Sequence, residues 1–193
     1  MKYSALTHGY GYVKPEASNA PVNKCAVFDN AAKMLLDFWE TWQPWSKFDQ
    51  LCLAIPDDVE VMSFGDQLQL GCGSLRRENS IYCDKDFTNL VVGAEFLQPM
   101  FDYAIKFGYE PCRPMLRYLP PKTCLSYHKD DAGVRFHLVL QSHWSAFFVV
   151  EDTVYRMPEV GSLYSLKTSV MHTAVNADIS RGRLHFTFSG YKD

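Results

Sequence analysis

The sequence of 193 residues predicts a mainly β chain of the α+β class. A helical and irregular N-terminal layer over about residues 1–110 packs on an antiparallel β-barrel or sandwich over about 111–193, all in one domain. Three observations point there. After Pro111 the chain breaks into strand-sized apolar pieces separated by turn residues. Before it, apolar residues recur at helical spacing. Hydrophobic residues are 47% and aromatics 15%, a globular composition with enough material for a sizeable core.

Residues 1–28 mix Gly, Pro, Asn and isolated aromatics and read as an irregular lead-in. From Asp29, "DNAAKMLLDFWETW" has a helical apolar stripe, with Asp29 or Asn30 as N-cap. Residues 57–77, with "DVEVMSF" and "QLQLGCG", read as short strands or turns. "DKDFTNLVVGAEFLQPMFDYAIKFGY" reads as one or two helices broken near Pro99, because a proline inside a helix removes a backbone donor. Beyond Pro111 the pieces are "MLRYL", "CLSYHKD", "VRFHLVLQ", "SAFFVVEDTVYRM", "GSLYSL", "HTAVN" and "RLHFTFSG". "PPK", "DDAG", "PEVG" and "ADISRG" separate them.

The formal net charge is -3 and no long basic run exists, which speaks against nucleic acid as the main partner. The first residues contain no apolar h-region, and no stretch approaches about 18 apolar residues, so neither a signal peptide nor a membrane span is expected. Six cysteines lie scattered with no C-x-x-C pair. They are expected to stay reduced in a cytoplasm, as small buried hydrophobes rather than disulfides or zinc ligands.

The chemistry concentrates in "SYHKDDAGVRFHL", residues 126–138. Side chains two apart on a strand share a face, so His128 and Asp130 can converge on one point. Asp131 falls to the turn "DAG". His172, far downstream in "SVMHTAVN", can supply a third ligand. Two imidazoles and one carboxylate form the facial triad of non-haem Fe(II) sites. H-x-D by itself is a common surface pair. The added signal is Arg183, eleven residues past His172 at the start of "RLHFTF". A strand there can run antiparallel beside the His172 strand and carry a guanidinium fork into the interior. Such a fork suits a carboxylate, and a buried arginine without an anion is costly. Arg181 is the alternative to Arg183. On the strand after the turn, Arg135, His137 and Val139 share one face, while Phe136, Leu138 and Leu140 share the other.

The order H-x-D, R-x-H, H and a late Arg resembles the Fe(II)/2-oxoglutarate-dependent oxygenases of the double-stranded β-helix fold, a jelly-roll or cupin-like barrel. "HKDDAGVRFHLVL" followed by "HTAVN" and "RGRLHFTF" is similar to the aspartyl/asparaginyl β-hydroxylase family, which includes free-proline hydroxylases. The likeness covers roughly residues 113–190. It implies that His128, Asp130 and His172 ligate Fe(II) and form the catalytic centre, and that Arg183 pairs with the distal carboxylate of 2-oxoglutarate. It places Arg135 and His137 near the keto-acid end or O2, gives Arg117 and Tyr118 of "RYLPP" cosubstrate contacts, and has Asn176 orient the His172 loop. Some members carry glycine in place of the carboxylate ligand, and Asp130 is present here.

The implied activity is hydroxylation of an amino-acid side chain, free or in a peptide or protein, with release of succinate and CO2. A non-enzymatic cupin-like metal-binding or sensor protein is the alternative. A nucleic-acid demethylase would show basic and aromatic residues interleaved at the barrel mouth, which the charge does not support. His8 and His143 read as incidental, and His185, which shares strand parity with Arg183, reads equally as inward-facing or as a core or rim histidine. "SLRRENS" reads as a solvated loop, and Trp42 and Trp45 as core.

Overall fold

The computed structural model of the chain describes residues 15, 20–59, 63–72 and 82–192. Its elements are β1 (Val22–Val27), α1 (Asp29–Trp42), β2 (Gln50–Cys52), β3 (Ala54–Ile55), α2 (Phe64–Leu70), β4 (Asn89–Leu90) and α3 (Gln98–Lys106). The barrel strands follow: β5 (Glu110–Leu119), β6 (Thr123–Cys124), β7 (Val134–Gln141), β8 (Ala146–Val150), β9 (Thr153–Tyr155), β10 (Ser162–Lys167), β11 (His172–Asn176) and β12 (Arg183–Tyr191). Six strands form the major sheet, in the order β1-β10-β7-β12-β5-β2, and four form the minor sheet, β6-β11-β8-β9. Every pairing is antiparallel.

The major sheet is covered on both faces. Ala32, Leu35 and Trp39 of α1 pack in one cluster with Phe136, Leu138 and Leu140 of β7. From α3, Phe101 meets Phe188 edge-on at 5.2 Å, and Phe188 stacks on Phe136 at 4.7 Å. Between the sheets lies a second cluster of Leu119, Val139, Phe148, Val150, Met157, Tyr164, Leu166 and Ala174. This explains why β7 is buried along all but its last residue and lacks the wet/dry alternation of a surface strand. Its phenylalanine and leucines face the helices. Arg135, His137 and Val139 face the barrel interior.

Six of the seven pieces marked after Pro111 contain strands, and "SAFFVVEDTVYRM" yields two, β8 and β9; "CLSYHKD" holds only the end of β6 and an isolated bridge at His128. The region before Pro111 differs from expectation in four ways. The supposed lead-in holds β1, a bulged edge strand paired to β10, and β2 closes the other edge of the same sheet. An edge strand has one partner, so its pattern is weak. Second, α1 begins at Asp29, but Phe28 occupies the N-cap and makes no side-chain cap bond. Third, "QLQL" is helical. Ser63 caps α2 by accepting from the Asp66 amide, and Leu68, Gln69 and Leu70 are all buried. Residues 60–62 and 73–81 of that region, "SLRRENS" among them, lie outside the described residues, as does His8. Fourth, only Gln98–Lys106 of the second helical stretch is α-helix, and Pro99 sits in its first turn, where no intrahelical donor is lost. Of the two tryptophans read as core, Trp42 packs against Phe64, while Trp45 is more than half exposed.

Asn176, at the end of β11, is fully enclosed. Its amide donates to the carbonyls of Leu119, Pro120 and Arg181, and its Oδ1 accepts from the Asp178 amide. It thus ties the β5–β6 and β11–β12 connections together at the barrel end opposite His172, rather than orienting the start of the strand. We expect Asn176→Ala to orphan three carbonyls and cost about 2–3 kcal/mol. The melting temperature then falls by roughly 4–12 °C, which calorimetry measures directly.

Candidate metal centre

The three predicted ligands meet. His128 and His172 face each other as an antiparallel bridge, joined by amide-to-carbonyl bonds of 3.0 and 2.7 Å in the two directions. The Asp130 amide extends the ladder by donating to the Thr168 carbonyl at 2.9 Å. Side chains of such a directly opposed pair leave the sheet side by side, and the two ring centroids are 4.6 Å apart. Asp130, two residues on, shares that face. One nitrogen from each histidine and one Asp130 oxygen lie within 4.8 Å of one another.

Backbone carbonyls fix the imidazole tautomers. His128 Nδ1 lies 2.6 Å from the Ser126 carbonyl, and His172 Nδ1 lies 3.0 Å from the Val170 carbonyl. A carbonyl only accepts, so each Nδ1 carries a proton and, in the neutral ring, Nε2 is the nitrogen free to bind a metal. Burial pushes the His172 imidazole below its ordinary pKa, which keeps it neutral. Two imidazoles and a carboxylate, with no thiolate in the cluster, suit a divalent iron better than a structural zinc. His172 is buried, whereas the His128 side chain is 36% exposed, so the centre sits at the rim with one side open.

Asp130 is held from behind. Its Oδ1 faces His128 Nε2 at 3.4 Å, and its Oδ2 takes a 2.7 Å ion pair from Arg135 Nη2. One carboxylate oxygen is therefore engaged by protein while the other faces the imidazoles. Arg135 also reaches Asp84 at 3.8 Å, and Asp84 pairs with Arg113 at 3.0 Å.

Deeper between the sheets, basic groups gather with few partners. Arg183 is 5% exposed, and its Nε and Nη1 have no hydrogen-bond partner among the described residues. Its guanidinium lies over the Phe148 ring at 4.7 Å, and burial lowers its pKa to about 10. His137 and His185 approach each other through their Nδ1 atoms at 3.5 Å, and each leaves Nε2 unpartnered. Burial drives both imidazoles well below their ordinary pKa, so both are neutral. Phe148 contacts both rings and Arg183, and its neighbour across the minor sheet is Ala174, two residues from His172. The basic group and the triad thus line one interior. Orphaned buried donors each cost about 1–3 kcal/mol, so this concentration calls for an anionic ligand.

The sequence-predicted residues sort as follows. His128, Asp130 and His172 converge, and Arg135, His137 and Arg183 point into the same interior. Arg183 arrives differently from expectation: β12 pairs with β5 and β7, while the His172 strand pairs with β6 and β8 in the opposite sheet. It reaches across the barrel to the minor sheet, where its guanidinium lies over Phe148. The alternative, Arg181, pairs with Asp178 at 2.7 Å on the surface. Arg117 sits beside His185 on the inner face of β5, near Arg135 and Arg113, and burial lowers its pKa well below the ordinary value. Tyr118 corrects the expectation. It points to the outer face, where it stacks on Trp39 at 6.0 Å and covers Gly182 closely enough that a Cβ there would lie 2.1 Å from its ring. Strand parity forbids it from joining Arg117 in the interior.

His185 was left open by sequence alone and proves interior. His143 lies 3.6 Å from Asp178, away from the triad. Asp84 and Arg113 were missed. The one available signal is "CRP", an arginine between cysteine and proline in a strand. Arg113 has φ 49, a strained left-handed conformation for a non-glycine residue.

No helix among the described residues is long and apolar enough to cross a membrane. No protein-family model matches the sequence, and no curated protein matches it. Solved structures do. A Pseudomonas putida prolyl-4-hydroxylase aligns over 90% of this chain and 93% of its own, with 13% identity and a TM-score of 0.54. The viral collagen prolyl hydroxylase of Paramecium Bursaria Chlorella virus-1, solved as a 2-oxoglutarate complex, aligns over 90% and 97%, with 12% identity and a TM-score of 0.50. A Trichoplax adhaerens prolyl hydroxylase, bound to a peptide fragment of the hypoxia inducible factor oxygen degradation domain, aligns over 89% and 83%, with 12% identity and a TM-score of 0.50. These neighbours are prolyl hydroxylases, and they do not confirm the aspartyl/asparaginyl β-hydroxylase family that the motif order resembles. The chain has the fold of the 2-oxoglutarate-dependent oxygenases, a double-stranded β-helix with a helical layer on its major sheet.

Proposed function

We propose that this protein is an Fe(II)- and 2-oxoglutarate-dependent dioxygenase that hydroxylates an amino-acid side chain, free or within a peptide. The observation that carries the reading is the buried Arg183 guanidinium, whose Nε and Nη1 have no hydrogen-bond partner among the described residues, in the same interior as the His128–Asp130–His172 cluster. A simple metal-binding or sensor barrel has no use for a desolvated cation beside its metal.

The His128 and His172 Nε2 atoms and Asp130 Oδ1 would hold the iron. Fe(II), 2-oxoglutarate and O2 supply the oxidising chemistry when bound, the oxo acid leaving as succinate and CO2. The chain's residues do the rest. Arg135 occupies Asp130 Oδ2, which favours one-oxygen ligation and leaves positions around the metal for small ligands. Arg183 would receive the distal carboxylate with a two-pronged fork, on a wall made dry by Phe148. His137 and His185, being neutral, can offer hydrogen bonds there without adding charge. Arg117 extends the positive lining along β5. The exposed side at His128 gives the substrate its approach. The peptide-bound and collagen-acting neighbours make proline-containing peptides, alongside free amino acids, the first substrates to try.

With Fe(II) and 2-oxoglutarate, succinate formation is expected to rise on adding one member of a panel of free amino acids and proline-containing peptides. Metal binding with no turnover on any of them would favour the sensor reading. His172→Ala removes one of three ligands and is expected to weaken Co(II) binding, read by absorption, by at least about 100-fold. Arg183→Ala is expected to leave Co(II) affinity within about threefold and to raise the KM for 2-oxoglutarate roughly 30- to 150-fold, the loss of about 2–3 kcal/mol of charge-assisted bonding. An unchanged KM would remove Arg183 as the anchor.

A further inference from the structure

Asp84 opens the stretch "DKDFTN" of the N-terminal region, lies in the 3-10 turn Asp84–Asp86, and is not among the residues the sequence marked for the site. Its side chain is 12% exposed and sits between two arginines. Arg113 Nη1 pairs with Oδ1 at 3.0 Å, and Arg135 Nη2 lies 3.8 Å from Oδ2, with the Ser189 hydroxyl donating to Oδ2 at 3.4 Å. Arg113 is itself pinned. Its Nε and Nη2 both donate to the Gly71 carbonyl, and its amide donates to the Phe87 carbonyl. Strain at φ 49 in β5 persists because these contacts hold it.

The result is a buried line of alternating charge: Asp130, Arg135, Asp84, Arg113. Arg113 alone would neutralise Asp84, yet a single Arg135 nitrogen stands between two carboxylates. That nitrogen's share of charge on Asp130 depends on whether Asp84 is there. With Asp84 present, the four charges cancel. Without it, the excess positive charge sits one residue from a dication site. Arg135 would then act on Asp130 alone and compete with the metal for its electrons.

Resting on the dioxygenase reading above, we propose that Asp84 is a positioning residue for the metal centre: through Arg135 it sets the orientation and donor strength of Asp130, and so the affinity for the divalent ion. The N-terminal layer thereby contributes to the metal site as well as covering the sheet.

The test uses the full chain loaded with Co(II), read by its d–d absorption, and 2-oxoglutarate KM at saturating Fe(II). Asp84→Asn keeps the shape and removes the charge. It is expected to bind Co(II) about tenfold more weakly and to shift the Co(II) spectrum, as loss of an outer partner of a ligand does, while the 2-oxoglutarate KM stays within about twofold. Asp84→Glu restores the charge and is expected to bring Co(II) affinity back to within about threefold of wild type. If Asp84→Asn binds Co(II) as wild type does, or if Asn and Glu weaken it equally, the proposal is overturned, the latter result marking Asp84 as merely structural. Should Asp84→Asn not fold, the double variant Asp84→Asn/Arg113→Gln also removes the Arg113 charge and keeps a donor for the Gly71 carbonyl. With the excess charge removed, only the loss of Asp84's share of Arg135 remains, so a smaller, about threefold, weakening of Co(II) binding is expected of it, and wild-type affinity there overturns the proposal equally. A wild-type chain that binds no Co(II) would instead sink the dioxygenase reading itself.

Discussion

Strand β7 has no wet face, and the architecture follows from that. Its outer side chains, Phe136, Leu138 and Leu140, need the helices; its inner ones, Arg135 and His137, need polar company inside the barrel. A strand so placed must be central, and it is, with β10 on one side and β12 on the other. The helical layer is therefore a condition for the site: without α1 and α3 the major sheet would expose its phenylalanines, and β7 could not carry charged groups into a dry interior.

The interior is unusual in its balance of charge. Near the rim, carboxylates and guanidiniums alternate and largely cancel. Deeper in, Arg183 and Arg117 lack such partners, and the two histidines beside them stay neutral because burial and neighbouring cations forbid a further positive charge. The barrel is thus divided into a neutral zone that can accept a cation and a basic zone that can accept an anion. A ligand that chelates metal at one end and carries a carboxylate at the other spans both.

Much of this was legible in the sequence because strand arithmetic is local. Period two alone put His128 with Asp130 and Arg135 with His137, and six of the seven pieces after Pro111 contain strands. What failed was sheet assignment and edge structure. Nothing local says that β12 belongs to the sheet opposite β11, since hydrogen-bond partners across a barrel are set by the whole topology. Edge strands such as β1 carry half the pairing and half the pattern. "QLQL" mimics a strand by alternation, and only the Ser63 cap reveals the helix. Tyr118 was misjudged because it neighbours Arg117 in sequence, which on a strand guarantees the opposite face. Asp84 left no trace, because its partners are 29 and 51 positions away.

The two carbonyl bonds that hold His128 and His172 by Nδ1 have a consequence for the chain's life without metal. Zinc fingers and similar small sites are assembled by their ion and dissolve when it leaves. Here the bridge between the histidines, the tethered rings and the Arg135-held carboxylate are all maintained by protein groups. Loading then demands little ordering of the ligands, and a chelator strips the ion while leaving the fold standing. Such a site can pass between empty and loaded forms as the supply of a metal ion rises and falls, without refolding.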